Sequence, residues 1–397
     1  MMGSSGPRVL ALAPDLSGNS TITPWQFCGA MAGEGYEVTL AGTASSDALW
    51  LPLEGELAEA ELLGRPALWP RSRRAERLAA GADLIYAFKA LPSSFGLALR
   101  LARRHRIPVA LHLDDWDAGF LQGGRHLRRA WWALRWLHRP DNEVWLRACE
   151  ALIPAADVLT VSTTALQRRF GGTVVRQGVD TDSINPGRYP RARARERVGV
   201  APDQPMVLFL GTPRLHKGLA ALLSLAELRS AVWIVGAPSG RSSEVGLEGE
   251  ALQGVNLRPP VSYEDAAWYM AACDVFVAPQ EDTSFAAHQV PAKILKAMAL
   301  GLAVVTTRVG DAPELLGGDP PAGVIVSPGE PRALGEAISS LLADPGARAA
   351  LGAEARRRAE DHHGWKAMGR ALRQAVAPLI PPRTIRPGRL DFPADQS

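Results

Sequence analysis

What most limits the fold of this chain is a repeated alternation. Short, largely apolar runs recur almost from end to end: RVLALAP, YEVTLAG, DLIYAF, IPVALHL and VLTVS in the first half, then MVLFLGT, AVWIVG, VNLRP, DVFVAP, LAVVTT and GVIVSP in the second. Longer segments of helical period separate them. A run that is apolar at successive positions is a strand buried on both faces, and a helix-length connection between such strands is a crossover. The sequence therefore predicts an α/β protein with parallel sheets covered by helices on both sides.

The pattern runs through twice, and 397 residues suit two domains of ordinary size. Between the two series lies NPGRYPRARARERVGVAPDQP, residues 185–205, whose Pro and Arg content predicts a linker with a short surface helix. The expected division is an N-terminal domain over 1–188, a C-terminal domain over 189–375 and a tail over 376–397 packing back on the N-terminal domain. The last 17 residues carry four Pro and are expected to be loose. Doubly wound sheets bind ligands beyond the carboxyl ends of their strands, so two such domains are expected to face one another across a cleft.

Composition narrows the function classes. A net charge of +3 is too small for a nucleic-acid binder on charge alone, while anionic small molecules or a membrane surface remain open where Arg is concentrated. Cys28, Cys149 and Cys273 are far apart and in no metal-ligand spacing, as expected of buried thiols in a reducing compartment. The first residues hold too short an apolar stretch for a signal peptide, and no run reaches the roughly 18 apolar residues of a spanning helix, so a cytoplasmic location is expected.

Several motifs lie at strand ends, where such sheets bind. SGNS, residues 17–20, follows the first strand; Gly18 would let a ligand approach the backbone, and the amides from Asn19 onward would point at a phosphate. No GxGxxG follows any strand, which counts against a nicotinamide dehydrogenase. In LFLGTPRLHKGL, Arg214 and Lys217 leave the first strand of the second domain, where a guanidinium and an ammonium could clamp a diphosphate. The loop after DVFVAP carries Glu281, Asp282, Ser284, His288 and Gln289, enough chain for a binding loop. Pro291 and Gly301 then bracket a helix bearing Lys293 and Lys296 three residues apart, both expected to face an anionic ligand, and Glu314 sits in a later turn.

On the first domain, ALHLDDWDAGF places His112, Asp114, Asp115, Trp116 and Asp117 at a strand end. Acids there suit sugar hydroxyls and Trp suits a sugar face; Lys89 lies at another strand end. In GGRHLRRAWWALRWLHR, residues 123–139, five Arg and two Trp share one helical face, which fits an interfacial helix on anionic headgroups or a glycolipid.

These segments together resemble the glycosyltransferases of family 4, which have the GT-B fold of two Rossmann-like domains. The likeness covers most of the chain and is most specific in PAKILKAMALGLAVVTTRVGDAPEL. It implies a retaining glycosyltransferase that moves a sugar from a nucleotide-diphosphate-sugar donor to a carbohydrate, lipid-linked or small-molecule acceptor, without a metal or other cofactor. Arg214 and Lys217 would hold the donor's diphosphate. Gly18, Asn19, Glu281, Ser284, His288, Gln289, Lys293, Lys296 and Glu314 would line the donor, with Arg214, Lys217 and His288 as the catalytic set. Lys89, His112, Asp114, Asp115 and Trp116 would lie on the acceptor side. In the family two glutamates contact the donor sugar and ribose, and here the matching positions are His288 and Lys296. An ammonium can donate to a ribose hydroxyl but cannot accept from two. A non-catalytic partner subunit that binds nucleotide sugar or membrane, and a sugar-nucleotide epimerase of the same fold, stay open beside the transferase, with peripheral contact at the inner membrane face through residues 123–139.

Overall fold

The computed structural model of the protein describes residues 6–380, apart from 69–71, 122–134, 136, 138, 141, 215–216, 238–251, 284–285 and 290–291. Each of the apolar runs becomes a strand. The first sheet contains β1 (Arg8–Ala13), β2 (Glu37–Gly42), β3 (Glu61–Leu62), β4 (Leu84–Phe88), β5 (Val109–Leu113), β6 (Val158–Val161) and β7 (Thr173–Val174), in the order β3-β2-β1-β4-β5-β6-β7. The second contains β8 (Val207–Leu210), β9 (Val232–Val235), β10 (Asn256–Arg258), β11 (Val275–Ala278), β12 (Val304–Thr307) and β13 (Val324–Val326), in the order β10-β9-β8-β11-β12-β13. The pairings within both sheets are parallel.

Burial explains which strands the sequence announces. β4, β5, β8, β9, β11 and β12 are buried at every position, as strands with a helix layer on each face must be. β3 and β7 are two-residue strands at the sheet edges and carry no apolar run that periodicity could detect. Alternate side chains of the first sheet feed two cores: Leu10, Leu12, Ile85 and Ala87 join Phe95 and Leu101 on one face, while Val9, Ala11, Tyr86 and Phe88 join Phe27, Trp365 and Leu372 on the other.

The chain forms two compact units, Met1–Gly178 with Trp365–Ser397, and Val179–Gly364. This differs from the expected boundaries at 188 and 375. The return to the first unit begins at the helix Trp365–Val376, which lies against the helix Ile22–Gly33. There a side chain at Gly29 would fall 2.4 Å from Trp365, and one at Gly369 would fall 2.6 Å from the Ala30 carbonyl, so both glycines permit close helix packing. The Arg-rich stretch also differs from its expected role as a surface helix. In the helix Arg191–Val198, Arg195 is only 3% exposed, and its guanidinium donates to the carbonyls of Ala201, Pro202, Gln204 and Ala272 and pairs with Asp274 at 2.8 Å. That segment is anchored in the second unit.

Both sheets have a switch point. The strand order reverses direction between β1 and β4 in the first sheet and between β8 and β11 in the second. Loops leaving such a pair of strands diverge and leave a crevice at their carboxyl ends.

Candidate functional site

At the second switch point the loops after β8 and β11 approach closely. Gly218 has φ +64, and a side chain there would collide with the Pro279 carbonyl, 1.7 Å away, so only glycine lets the two loops meet. Gly211, at φ +124, ends β8. A Cβ on it would fall 1.9 Å from the Lys293 Nζ, so Lys293 occupies the space a side chain at 211 would need. Lys293 comes from the helix Ala292–Ala299, which Gly301 (φ +66) terminates through bonds from its amide to Met298 and from the Leu302 amide to Ala297. Lys217 donates to the carbonyl of Thr212 at 2.7 Å.

Arg214, Lys217 and Lys293 thus share one corner, and their mutual repulsion is visible in the lysines. Burial, with Arg214 next in weight, lowers Lys293 to about 8. Burial, then Lys293 and Arg214, holds Lys217 well below the ordinary lysine range. Among the described residues, no carboxylate contributes to either shift. Such a corner is built for an anion.

Lys296 does not join it. Its side chain is buried, its Nζ donates to the Tyr263 carbonyl at 2.5 Å and lies 3.5 Å from the centre of the Tyr263 ring. The expectation that both lysines of this helix face one ligand is therefore corrected. Three residues on a helix span about 300°, and the resulting 60° offset lets two long side chains leave for different neighbours.

The other donor-side residues are spread along the same edge. His288 and Gln289 lie half-buried at the end of the loop before the helix. Gly310 (φ +56) brings the turn after β12 against them, and a Cβ on it would fall 3.0 Å from the Ala287 carbonyl and 3.3 Å from that of Gln289. Glu281 lines a small recess with Gly218, Gln280, Thr307 and Ser327, and Glu314 is exposed on the short helix Ala312–Leu316. Ser284 and Pro291 lie outside the described residues.

The first switch point has the opposite electrostatics. Lys89 follows β4 in the left-handed region at φ +64, unusual for a residue with a side chain, and its ammonium lies 2.8 Å from Asp115, 2.9 Å from Asp117 and 3.2 Å from Asp114. Burial works against that charge, yet the three carboxylates overcome it and hold Lys89 well above the ordinary range. Burial pushes Asp117 up to about 6, with Lys89 opposing and Asp115 and Asp114 adding to the rise. Asp114 also accepts from Thr23 at 2.9 Å, and Thr23 accepts from Gln177 at 2.6 Å. His112 lies behind the cluster, fully buried, with Nδ1 3.0 Å from the Thr160 hydroxyl and its ring 4.3 Å from Phe27. Burial and then Lys89 lower it to about 3, so the ring is neutral.

Two sequence expectations change here. Trp116 offers no open face to a sugar: it is 7% exposed, the Arg169 guanidinium lies 3.8 Å over its ring, and Gly119 packs so closely that a Cβ would fall 2.4 Å away. The SGNS loop already holds a carboxylate. Asp15 takes the Ser17 amide at 2.9 Å and the hydroxyls of Ser17 and Ser45 at 2.6 Å each, an acid that disfavours a phosphate beside it. Gly18 is in extended backbone with ordinary clearance, and Asn19 is exposed. The sequence reading missed Asp15, Ser45, Thr23, Gln177 and Gly211. Of these, only Gly211, a glycine ending a buried strand beside a basic loop, carried a signal. Most of the basic Trp segment 123–139 lies outside the described residues.

Known proteins share the fold, and a family model spans the basic loop. Residues 204–344, which include Arg214, Lys217, Lys293 and Lys296, match the family model described as glycosyl transferases group 1. The chain superposes over 94% of its length on sucrose-phosphate synthase from Thermosynechococcus elongatus, covering 99% of that chain with a TM-score of 0.67 at 18% identity. It also superposes on Anabaena Alr3699/HepE in complex with UDP-glucose, again over 94% of its length and 99% of that chain, with a TM-score of 0.68 at 18% identity. The fold is GT-B. Among curated proteins, the D-inositol 3-phosphate glycosyltransferase of Xylanimonas cellulosilytica is 35% identical over 261 residues, 60% of each chain. The GT-B chain thus spans 60% of that relative's length. None of the helices among the described residues is long and apolar enough to cross a membrane, and no group of His, Cys, Asp and Glu among them could hold a metal ion.

Proposed function

We propose that the protein is a glycosyltransferase that moves a sugar from a nucleoside-diphosphate sugar to a hydroxyl of an acceptor, with retention of anomeric configuration. The observation that carries this is the cluster of Arg214, Lys217 and Lys293 at the second switch point, which has no acid beside it among the described residues. Those cations neutralise the diphosphate as the bond from the sugar's anomeric carbon to the phosphate oxygen breaks. The acceptor oxygen bonds to the same carbon from the face the diphosphate leaves, and its proton passes to a diphosphate oxygen. No protein nucleophile is needed. His288 and Gln289, with Glu281, Ser284 and Glu314, are assigned to the donor's sugar and nucleoside, and Lys296 supports the helix from behind rather than touching ribose. The family 4 likeness, the group 1 match and the UDP-glucose complex of a protein with this fold support the donor class.

On the first unit, the loops bearing Lys89, Asp114, Asp115 and Asp117 are assigned to the acceptor, whose hydroxyls carboxylates can orient. His112 and Trp116 act there as support. The protein works in the cytoplasm, and residues 123–139 are assigned to peripheral contact with anionic lipid. The buried Lys296, where relatives carry an acid, motivates a second reading as a partner subunit that binds nucleotide sugar without turnover.

The test is a panel of nucleoside-diphosphate sugars incubated with and without sugar, cyclitol and glycolipid acceptors. Nucleoside diphosphate released only when an acceptor is present supports the transferase. Donor binding without release under any acceptor favours the partner subunit, and conversion of the donor alone sinks both.

A further inference from the structure

Three cations occupy one corner of the second unit, and none of them has an acid for a partner among the described residues. Lys293 fills the space over Gly211, Lys217 is bonded to the next carbonyl, that of Thr212, and Arg214 follows two residues later. Among the described residues the charged groups acting on Lys217 are Lys293 and Arg214, and the one acting on Lys293 is Arg214; Lys296, on the same helix, is engaged by Tyr263. Like charges gathered in a half-dry corner resist full protonation, because each loses water and gains a repelling neighbour. A polyanion arriving in the corner reverses the sign of the field on every one of them.

We propose that this corner takes up its diphosphate together with a proton, and that Lys293 is the group that receives it. The inference rests on the donor reading above and adds a coupling to it: the occupied site holds more protons than the empty one, by up to one at alkaline pH, and affinity falls as the solution becomes alkaline. Lys293 is the receiving group because its Nζ fills the glycine gap at the end of β8, whereas the Lys217 ammonium already donates to the Thr212 carbonyl, a bond that favours its charged form. Proton uptake also leaves the site fully charged at the moment the diphosphate departs from the sugar, when neutralising charge matters most.

The experiment is calorimetric titration of the whole protein with UDP and with GDP, whose phosphates are fully ionised at pH 8, in two buffers of different ionisation enthalpy. With Lys293 at about 8 in the free protein, wild type takes up about half a proton from this residue at pH 8. Affinity falls about threefold from pH 7.5 to 8.5 on its account. Lys293→Arg keeps the charge at every pH, so whatever its affinity it loses that share of uptake and of the pH slope. Lys293→Met loses the uptake and also binds more weakly at pH 7.5. Binding of either nucleotide with no proton uptake, or a Lys293→Arg protein with the wild-type slope and uptake, overturns the coupling and leaves the donor reading standing. Failure of both nucleotides to bind at any pH from 7 to 9 overturns both.

Discussion

Lys89 and Lys293 occupy comparable places, each at the carboxyl edge of a parallel sheet beside its switch point, yet their surroundings are opposite. Lys89 is enclosed by Asp114, Asp115 and Asp117 and is held well above the usual lysine range. Lys293, among the described residues, is lowered to about 8 by burial and then by Arg214, with Lys217 in the same corner. The first lysine has its counter-ions within the protein and organises a loop. The second is left short of negative charge, which a ligand can supply. Lys296 is a third case, a buried ammonium that donates to a backbone carbonyl and lies over an aromatic ring. The residue type alone says little; which charges surround it separates scaffold from site.

Removing charges one at a time tests this contrast. Lys89→Met strands three carboxylates in a buried cluster and should cost about 3–5 kcal/mol in urea unfolding at neutral pH. Lys293→Met should cost nothing in the same assay, since it relieves repulsion, and equal losses in the two variants would break the comparison. The pH dependence gives the sign independently. Lys293 is lowered from 10.5 to about 8 on folding, so the unfolded chain binds its proton more tightly across that interval, and the stability attributable to it rises as pH increases from 8 toward 10.5. The difference in unfolding midpoint between wild type and Lys293→Met should therefore narrow or reverse over that range.

On the donor reading Arg214→Ala and Lys217→Ala each remove a cation that neutralises the departing diphosphate, and transfer should drop by about 100- to 1,000-fold while the fold persists. Near-normal turnover in both variants would detach the corner from catalysis. Gly211→Ala puts a methyl group on the Lys293 ammonium at a φ of +124, and nucleotide affinity should fall by about tenfold as that side chain is displaced. The smallest effect belongs to Lys296→Met, which replaces the buried ammonium by an apolar chain of similar length. Nucleoside diphosphate affinity should stay within about twofold and stability within about 1.5 kcal/mol. A large loss of affinity there would return Lys296 to the site.

The sequence made the sheets legible because strands such as VLFL and VFVA are apolar at every position, a pattern that only a doubly covered parallel strand explains. It hid β3 and β7 because two-residue edge strands need no core face. Arg214 and Lys217 were readable from their place at the end of β8, and the Asp114–Asp117 loop from its place after β5. Direction was not readable. Whether Lys293 and Lys296 point together depends on Gly211 and Tyr263, neighbours distant in sequence. Whether Trp116 offers a face depends on Arg169, and whether SGNS can receive a phosphate depends on the Asp15 carboxylate that already fills the loop. Periodicity places a residue on an element, while the partner that captures its side chain comes from elsewhere in the chain.

The central claim is that the corner of Arg214, Lys217 and Lys293, and not the SGNS loop or Lys296, holds the donor's diphosphate. A crystal structure grown with UDP or GDP decides it. The account predicts phosphate oxygens within hydrogen-bond distance of Arg214, Lys217 and Lys293, with Lys296 still on the Tyr263 carbonyl. A diphosphate seated on the loop after β1, or drawn to Lys296, would contradict it.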